Sequence, residues 1–157
     1  MNILVLCTGN SARSILLEAI LTHRSDGRYT GYSAGSTPSG KVHPQSLVHL
    51  AAHGYPRDGL RSKSWDEFGA DDAPQMDIVI TVCGSAASEQ CPIWPGAPIQ
   101  VHWGVEDPAA AAPADWDAAF TLAYNQLYKR AKAFFALDIA AMDKPTLKQE
   151  LTRIGTL

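Results

Sequence analysis

The chain has 157 residues, three cysteines and a formal net charge of -3, with 46% of its residues apolar and 18% charged. That length suits one domain with a real core, and the acidic balance excludes a general nucleic-acid binder. No apolar run reaches membrane-spanning length, and no basic stretch precedes the short apolar start, so neither a membrane anchor nor an export signal is expected.

The most informative stretch comes first, MNILVLCTGNSARS. Asn2 to Leu6 is short, apolar and partly β-branched, which predicts a buried strand. Cys7 follows at once, then Thr8-Gly9-Asn10-Ser11-Ala12, then Arg13 and Ser14. From Ser14 to about His23 the apolar residues recur at helical spacing. A cysteine thus stands at the carboxyl end of a first strand, on a turn that opens a helix, where open α/β sheets bind ligands. Backbone N–H groups of the turn and the helix start converge there, and the helix dipole adds positive charge. Thr8 to Ser14 is therefore the candidate oxyanion-binding loop, with Arg13 as a planar fork for a tetrahedral oxyanion. The same field is expected to depress the Cys7 pKa, with Ser14 as a hydrogen-bond donor to the thiolate. A thiolate held against an oxyanion is placed to attack phosphorus or arsenic. A buried structural cysteine followed by a surface arginine is the plainer alternative.

Tyr29 to Ala34 predicts a second strand, and Ser36 to His43 a loop. Pro44 suits the first turn of a helix that closes near Gly54. Ser64-Trp65-Asp66-Glu67 is a capping box, so a short helix is expected after it. Met76 to Val82 predicts a third strand ending in Cys83. Gly84 to Pro98, rich in small residues and proline, reads as a loop containing Cys91. Ile99 to Trp103 predicts a fourth strand, and Gly104 to Pro113 a loop holding Asp107-Pro108. Asp115 to about Met142 reads as one long helix or two joined ones, with Trp116, Phe120, Leu127, Ala131 and Phe134 on its apolar side. Residues 1–143 are expected as the domain and 144–157 as a helical tail. Alternating strands and helices imply an α/β three-layer sandwich, a four-stranded parallel sheet with helices on both faces.

Seven residues separate Cys83 from Cys91. That spacing is wrong for a zinc pair, and the five histidines form no ligand pattern. Three thiols near one sheet edge suggest a relay by thiol–disulfide exchange. A buried Cys83 and an incidental Cys91 is the alternative, since free cysteines are also small hydrophobes. Asp107 lies beyond the last strand at the same edge, where a carboxyl group can protonate a leaving oxygen. Asp-Pro is equally a turn signature.

CTGNSARS at 7–14, TVCGSAASEQCP at 81–92 and HWGVEDPA at 102–109 together resemble the thiol-dependent arsenate reductases, which share the low-molecular-weight protein tyrosine phosphatase fold. The resemblance covers residues 1 to about 140. It implies that Cys7 attacks arsenate, that Asp107 protonates the departing water, and that Arg13 and the loop amides hold the oxyanion. It implies that Cys83 attacks Cys7 to release arsenite, and that Cys91 then attacks Cys83, leaving an 83–91 disulfide. The implied partners are arsenate, with phosphate or sulfate as analogues, and thioredoxin or glutaredoxin with glutathione as reductant. A cytoplasmic monomer is expected, with no tightly bound cofactor. Some of these reductases bind potassium beside the anion loop, and Asn10, Glu18, Ser33 and Ser62 are the candidate oxygens here, although Ser64 stands where a further carboxylate is used. Ala12 replaces a second cysteine common in the phosphatase loops, and Ala109 and Ala110 replace the aromatic that grips phosphotyrosine. Both departures weaken the alternative of an aryl-phosphate phosphatase working through Cys7. A non-enzymatic oxyanion-binding or redox-sensing module is the third reading.

Overall fold

A computed structural model of the chain describes residues 1–89 and 92–157. Four strands form its sheet: β1 (Asn2–Leu6), β2 (Thr30–Ala34), β3 (Ile78–Thr81) and β4 (Ile99–His102). All pairings are parallel, in the order β2-β1-β3-β4. Their sequences are near-continuous apolar runs because a parallel sheet buries both faces. The chain leaves β1 for β2 on one side and returns to β3 on the other, so the switch point lies between the carboxyl ends of β1 and β3. Register makes that crevice concrete. Leu6 pairs with Thr81, and Val82 N donates to Leu6 O at 2.9 Å. Cys7 and Cys83, each just beyond a strand, therefore emerge side by side.

Among the described residues, five α-helices accompany the sheet: α1 (Arg13–His23), α2 (Pro44–Ala52), α3 (Gly84–Ser88), α4 (Trp116–Phe135) and α5 (Lys144–Ile154). Helix α1 buries Ser14 to Leu17 and Ala19 to Leu21, because it is enclosed by the sheet on one side and by α2 and α4 on the others. Helix α5 docks on β4 and sinks Leu147, Leu151 and Ile154 into the main core. The Trp103 indole donates to Leu151 O at 2.9 Å. The two faces are covered unequally. Ile3, Val5, Ile78, Ile80 and the helices form the large core, whereas Leu4, Leu6, Ala34 and Val79 lie under Phe68, Met76 and Trp94. Among the described residues no helix is long and apolar enough to cross a membrane.

Three local expectations need correction. The Ser64 cap forms, its Oγ accepting Asp66 N at 3.2 Å, but the turn it starts is 3-10, Trp65–Phe68. The segment expected as a plain loop after Cys83 contains α3. The long C-terminal helix ends at Phe135, followed by a 3-10 turn over Ile139–Ala141. Gly35 closes the fold around the site. A Cβ there would run into the carbonyls of Thr8 and Cys7, so only glycine lets β2 end this close to the loop.

Candidate active site

Cys7 is 6% exposed and sits at the start of a loop whose Thr8, Gly9 and Ser11 carbonyls are held by donors from outside it. Thr8 O accepts Thr37 N at 3.0 Å, Gly9 O accepts Ser39 N at 3.0 Å, and Ser11 O accepts His43 N at 3.0 Å. Ser62 Oγ and Ser46 Oγ add bonds to Gly9 O and Ser11 O at 3.1 and 2.9 Å. Ala12 O accepts Leu16 N at 2.9 Å. In a planar trans peptide the N–H points opposite the carbonyl, so the amides of Gly9, Asn10, Ala12 and Arg13 face the other way, into one concavity. The Gly9 N–H helps to pull the Cys7 thiol down. This is an anion nest built by fastening its outside.

Asn10 holds the turn from within. Its φ is 46°, a left-handed conformation that asparagine tolerates better than most side chains. Its fully buried amide donates to Ser14 Oγ and Ser33 Oγ, both at 2.9 Å. Its Oδ1 accepts Lys63 N at 2.9 Å. Ser14 was expected to donate to the Cys7 thiolate; its hydroxyl instead accepts from Asn10 and braces the loop.

Arg13 bridges the loop to the segment after β4. Nη1 donates to Val105 O at 2.8 Å, and Nη2 lies 3.7 Å from Asp107 Oδ2. Its buried Nε has no hydrogen-bond partner among the described residues. An unmet guanidinium N–H beside a ring of inward amides is what an oxyanion would satisfy. Asp107 Oδ1 accepts Ala109 N at 3.0 Å, starting the 3-10 turn Pro108–Ala110. The turn reading of Asp-Pro and the placement of a carboxyl group beside the loop thus hold together. A cavity of about 790 Å³ opens on Asp107, lined by Ala110, Ala111, Leu122 and Lys129 among others.

Cys83 meets the loop directly. Its Sγ accepts Thr8 N and Ala86 N, each at 3.4 Å, and lies 3.6 Å from Thr8 Oγ1. Ala86 lies in the first turn of α3, which Cys83 caps. The Thr8 hydroxyl also donates to Glu89 Oε1 at 3.2 Å. The two thiols are coupled. Cys83 and burial push the Cys7 thiol up, against the pull of the Arg13 guanidinium. For Cys83, its neighbour Cys7 pulls the thiol down to about 5, against burial, with the Ala86 and Thr8 donors helping. The lowered pKa expected at Cys7 falls on Cys83 instead, on whose sulfur more donors converge. Cys91 lies outside the described residues.

The pair makes a titration prediction. Thiolate absorbance should show one ionisation per chain centred near pH 5, well below a thiol's ordinary 9.0. Cys83→Ser should remove it and let Cys7 titrate lower than in the wild type. Between these two pH values the folded chain binds fewer protons than the unfolded chain. Stability should therefore rise with pH across that window and be lost as pH falls through about 5. Above the ordinary thiol value the raised Cys7 reverses the slope. No thiolate below pH 7 would contradict this charge distribution.

Sequence reading missed Lys63, Val105 and Glu89. Each acts through a backbone group or across more than fifty residues, where no local spacing reports it. Among the described residues no three or more His, Cys, Asp or Glu side chains gather to hold a metal. Of the potassium candidates, Asn10, Glu18 and Ser33 are joined by hydrogen bonds, Ser33 Oγ donating to Glu18 Oε2 at 2.6 Å. Ser62 bonds the Gly9 carbonyl and Gly40 N.

Known proteins share this arrangement. The family model for low molecular weight phosphotyrosine protein phosphatases matches residues 2–148. An arsenate reductase of Halalkalibacterium halodurans is 33% identical over 131 residues, covering 82% of this chain and 91% of that protein. A solved arsenate reductase in the phosphate binding state superposes with a TM-score of 0.71 at 27% identity, covering 86% of this chain and 96% of that one. An arsenate reductase in oxidized state gives 0.68 at 26% identity with the same coverage. The cysteine loop at the switch point, the strand order and the match along the sequence agree: the chain belongs to the low molecular weight phosphotyrosine protein phosphatase family.

Proposed function

We propose that this protein reduces arsenate to arsenite through a cysteine relay. The observation that carries the reading is the second thiol: Cys83 Sγ is hydrogen-bonded to the anion loop itself, accepting Thr8 N at 3.4 Å. A phosphatase has no use for it, whereas a reductase does. Its similarity to arsenate reductases supports the same choice.

Arsenate enters the nest, bonded by the loop amides and Arg13. Cys83, a thiolate beside the loop, takes the Cys7 proton as Cys7 attacks arsenic. An S–As bond forms, an As–O bond breaks, and Asp107 protonates the departing oxygen as water. Cys83 releases that proton to solvent and is a thiolate again, favoured by the Thr8 and Ala86 N–H groups. It attacks the Cys7 sulfur. An S–S bond forms, the S–As bond breaks, and its electron pair stays with arsenic, which leaves as arsenite. Cys91 attacks Cys83, Cys7 departs as a thiolate, and a dithiol reductant later reduces the 83–91 disulfide. Thioredoxin or a glutaredoxin with glutathione is the reductant, and the enzyme works as a cytoplasmic monomer.

Asp107→Asn tests the acid. An asparagine side chain still caps the turn at Ala109, so the loop should stay in place while turnover falls by roughly 10²- to 10⁴-fold. Phosphate affinity should stay within about twofold. Normal rates from the variant would reduce Asp107 to a turn residue. The reading as a whole is tested by arsenate-dependent turnover with thioredoxin and glutaredoxin systems supplied separately. Turnover with one of them supports it; aryl-phosphate hydrolysis with no arsenite from either supports the phosphatase alternative.

A further inference from the structure

The proposed acid stands on a turn that its own side chain holds only in part. Asp107 Oδ1 accepts Ala109 N, whereas Oδ2 lies 3.7 Å from Arg13 Nη2, beyond hydrogen-bond length. The Asp107 side chain is 44% exposed. The residues after it, Pro108-Ala109-Ala110-Ala111, carry no polar side chain. Two bonds to main-chain carbonyls fix the segment, one on each side of the acid. Upstream, Arg13 Nη1 donates to Val105 O at 2.8 Å. Downstream, the Trp116 indole N–H donates to Ala111 O at 2.9 Å, and Ala111 closes the 3-10 turn that Asp107 begins. Trp116 is the first residue of α4, and its partly buried ring packs on the main core. The helix therefore grips the acid's turn through an indole N–H.

The same ring reaches back to the anion loop. The Trp116 and His43 rings meet edge to face, with centroids 4.6 Å apart and planes at 85°. His43 also lies 5.1 Å from Phe120, which is fully buried. The main-chain N–H of His43 holds Ser11 O at 3.0 Å, and its Nδ1 accepts Gln45 N at 3.0 Å, capping α2. One indole thus touches both halves of the site: its N–H holds the acid's turn, and its ring meets the residue that fastens the nest. We propose that Trp116 is a positioning residue for Asp107, fixing where the acid stands over a bound oxyanion. A proton donor must lie within hydrogen-bond reach of the oxygen it serves, so a small shift of this turn is felt in rate and not in binding. A phenylalanine would keep the ring and lose the donor.

The inference rests on the proposed role of Asp107 as the acid, and its test is single-turnover arsenite release by Trp116→Phe in the wild-type and Asp107→Asn backgrounds. In the wild-type background the substitution should slow release roughly tenfold. Inorganic phosphate should bind within about twofold of wild type, since the interaction lost acts on the transition state. In the Asp107→Asn background the same substitution should change the rate by less than about twofold, because no acid is left to misplace. His43→Asn keeps a capping side chain for α2 and the main-chain N–H on Ser11 O, but removes the ring behind Trp116. It should slow release by about threefold, again only where Asp107 is present, and its loss should not add to that of Trp116→Phe. Trp116→Phe as fast as wild type overturns the inference. So does equal slowing in both backgrounds, which a merely structural role predicts. If Trp116→Phe fails to fold, His43→Asn in the same two backgrounds decides. Wild type that releases no arsenite would instead sink the arsenate reading, and the inference with it.

Discussion

Cys7→Ser should abolish arsenate turnover, by at least about 10⁴-fold, and remove aryl-phosphate hydrolysis with it. The expectation follows from the proton shared by the sulfur pair. Cys7 is a thiol beside the Cys83 thiolate, and Cys83 is the base that takes its proton, with the Arg13 guanidinium favouring the Cys7 thiolate. A serine hydroxyl is far too weak an acid for that base. The fold should survive, since Cys7 is buried and the replacement is nearly the same size. The backbone that makes the nest is held by Thr37, Ser39, His43 and Ser46, none of which touches the sulfur. Phosphate should therefore still bind, which separates loss of the nucleophile from loss of the site. Arsenite production above background by Cys7→Ser would show that another group attacks arsenic.

Cys83→Ser and Cys91→Ser should fail in different ways. Cys83→Ser should stop arsenite release almost completely, because no thiolate remains to take Cys7 from arsenic. It should spare slow aryl-phosphate hydrolysis, which needs only Cys7, Arg13 and Asp107. Cys91→Ser should release about one arsenite per chain and then stall, since the relay ends at a Cys7–Cys83 bond that a protein reductant reaches poorly. Cys83 is 4% exposed and enclosed by Thr8 and Ala86. Quenched-flow counts of arsenite per chain distinguish the two. Sustained cycling of Cys91→Ser with thioredoxin would make Cys83 the terminal thiol and favour a glutathione-type mechanism.

Sequence and structure agree where local pattern and chemistry point the same way. Asn2 to Leu6, the glycine-containing turn and the apolar run from Ile15 report a strand, a nest and a buried helix within twenty-odd residues. A single sequence supports that because each element is dictated by its own periodicity. Helix α3 was hidden: Gly84–Ser88 is five small residues with no apolar period, and it forms because Cys83 caps it and Ala86 packs into the core. The placement of the thiolate was hidden too. The nest does act on Cys7 through Gly9 and Arg13, as expected, but Cys83 collects more donors. That outcome depends on the β1–β3 register, which no local spacing encodes. Lys63 escaped notice for a similar reason. It reads as one cation in a polar loop, and only the folded chain brings it under Asn10.

The central claim is that oxidation passes from Cys7 to Cys83 before it reaches Cys91. The most direct test is disulfide mapping by mass spectrometry after one equivalent of arsenate, without reductant, in wild type and Cys91→Ser. The relay predicts an 83–91 disulfide in the wild type and a trapped 7–83 disulfide in Cys91→Ser, each matched by one arsenite. Arsenite released from Cys91→Ser with Cys7 and Cys83 both still reduced would contradict it.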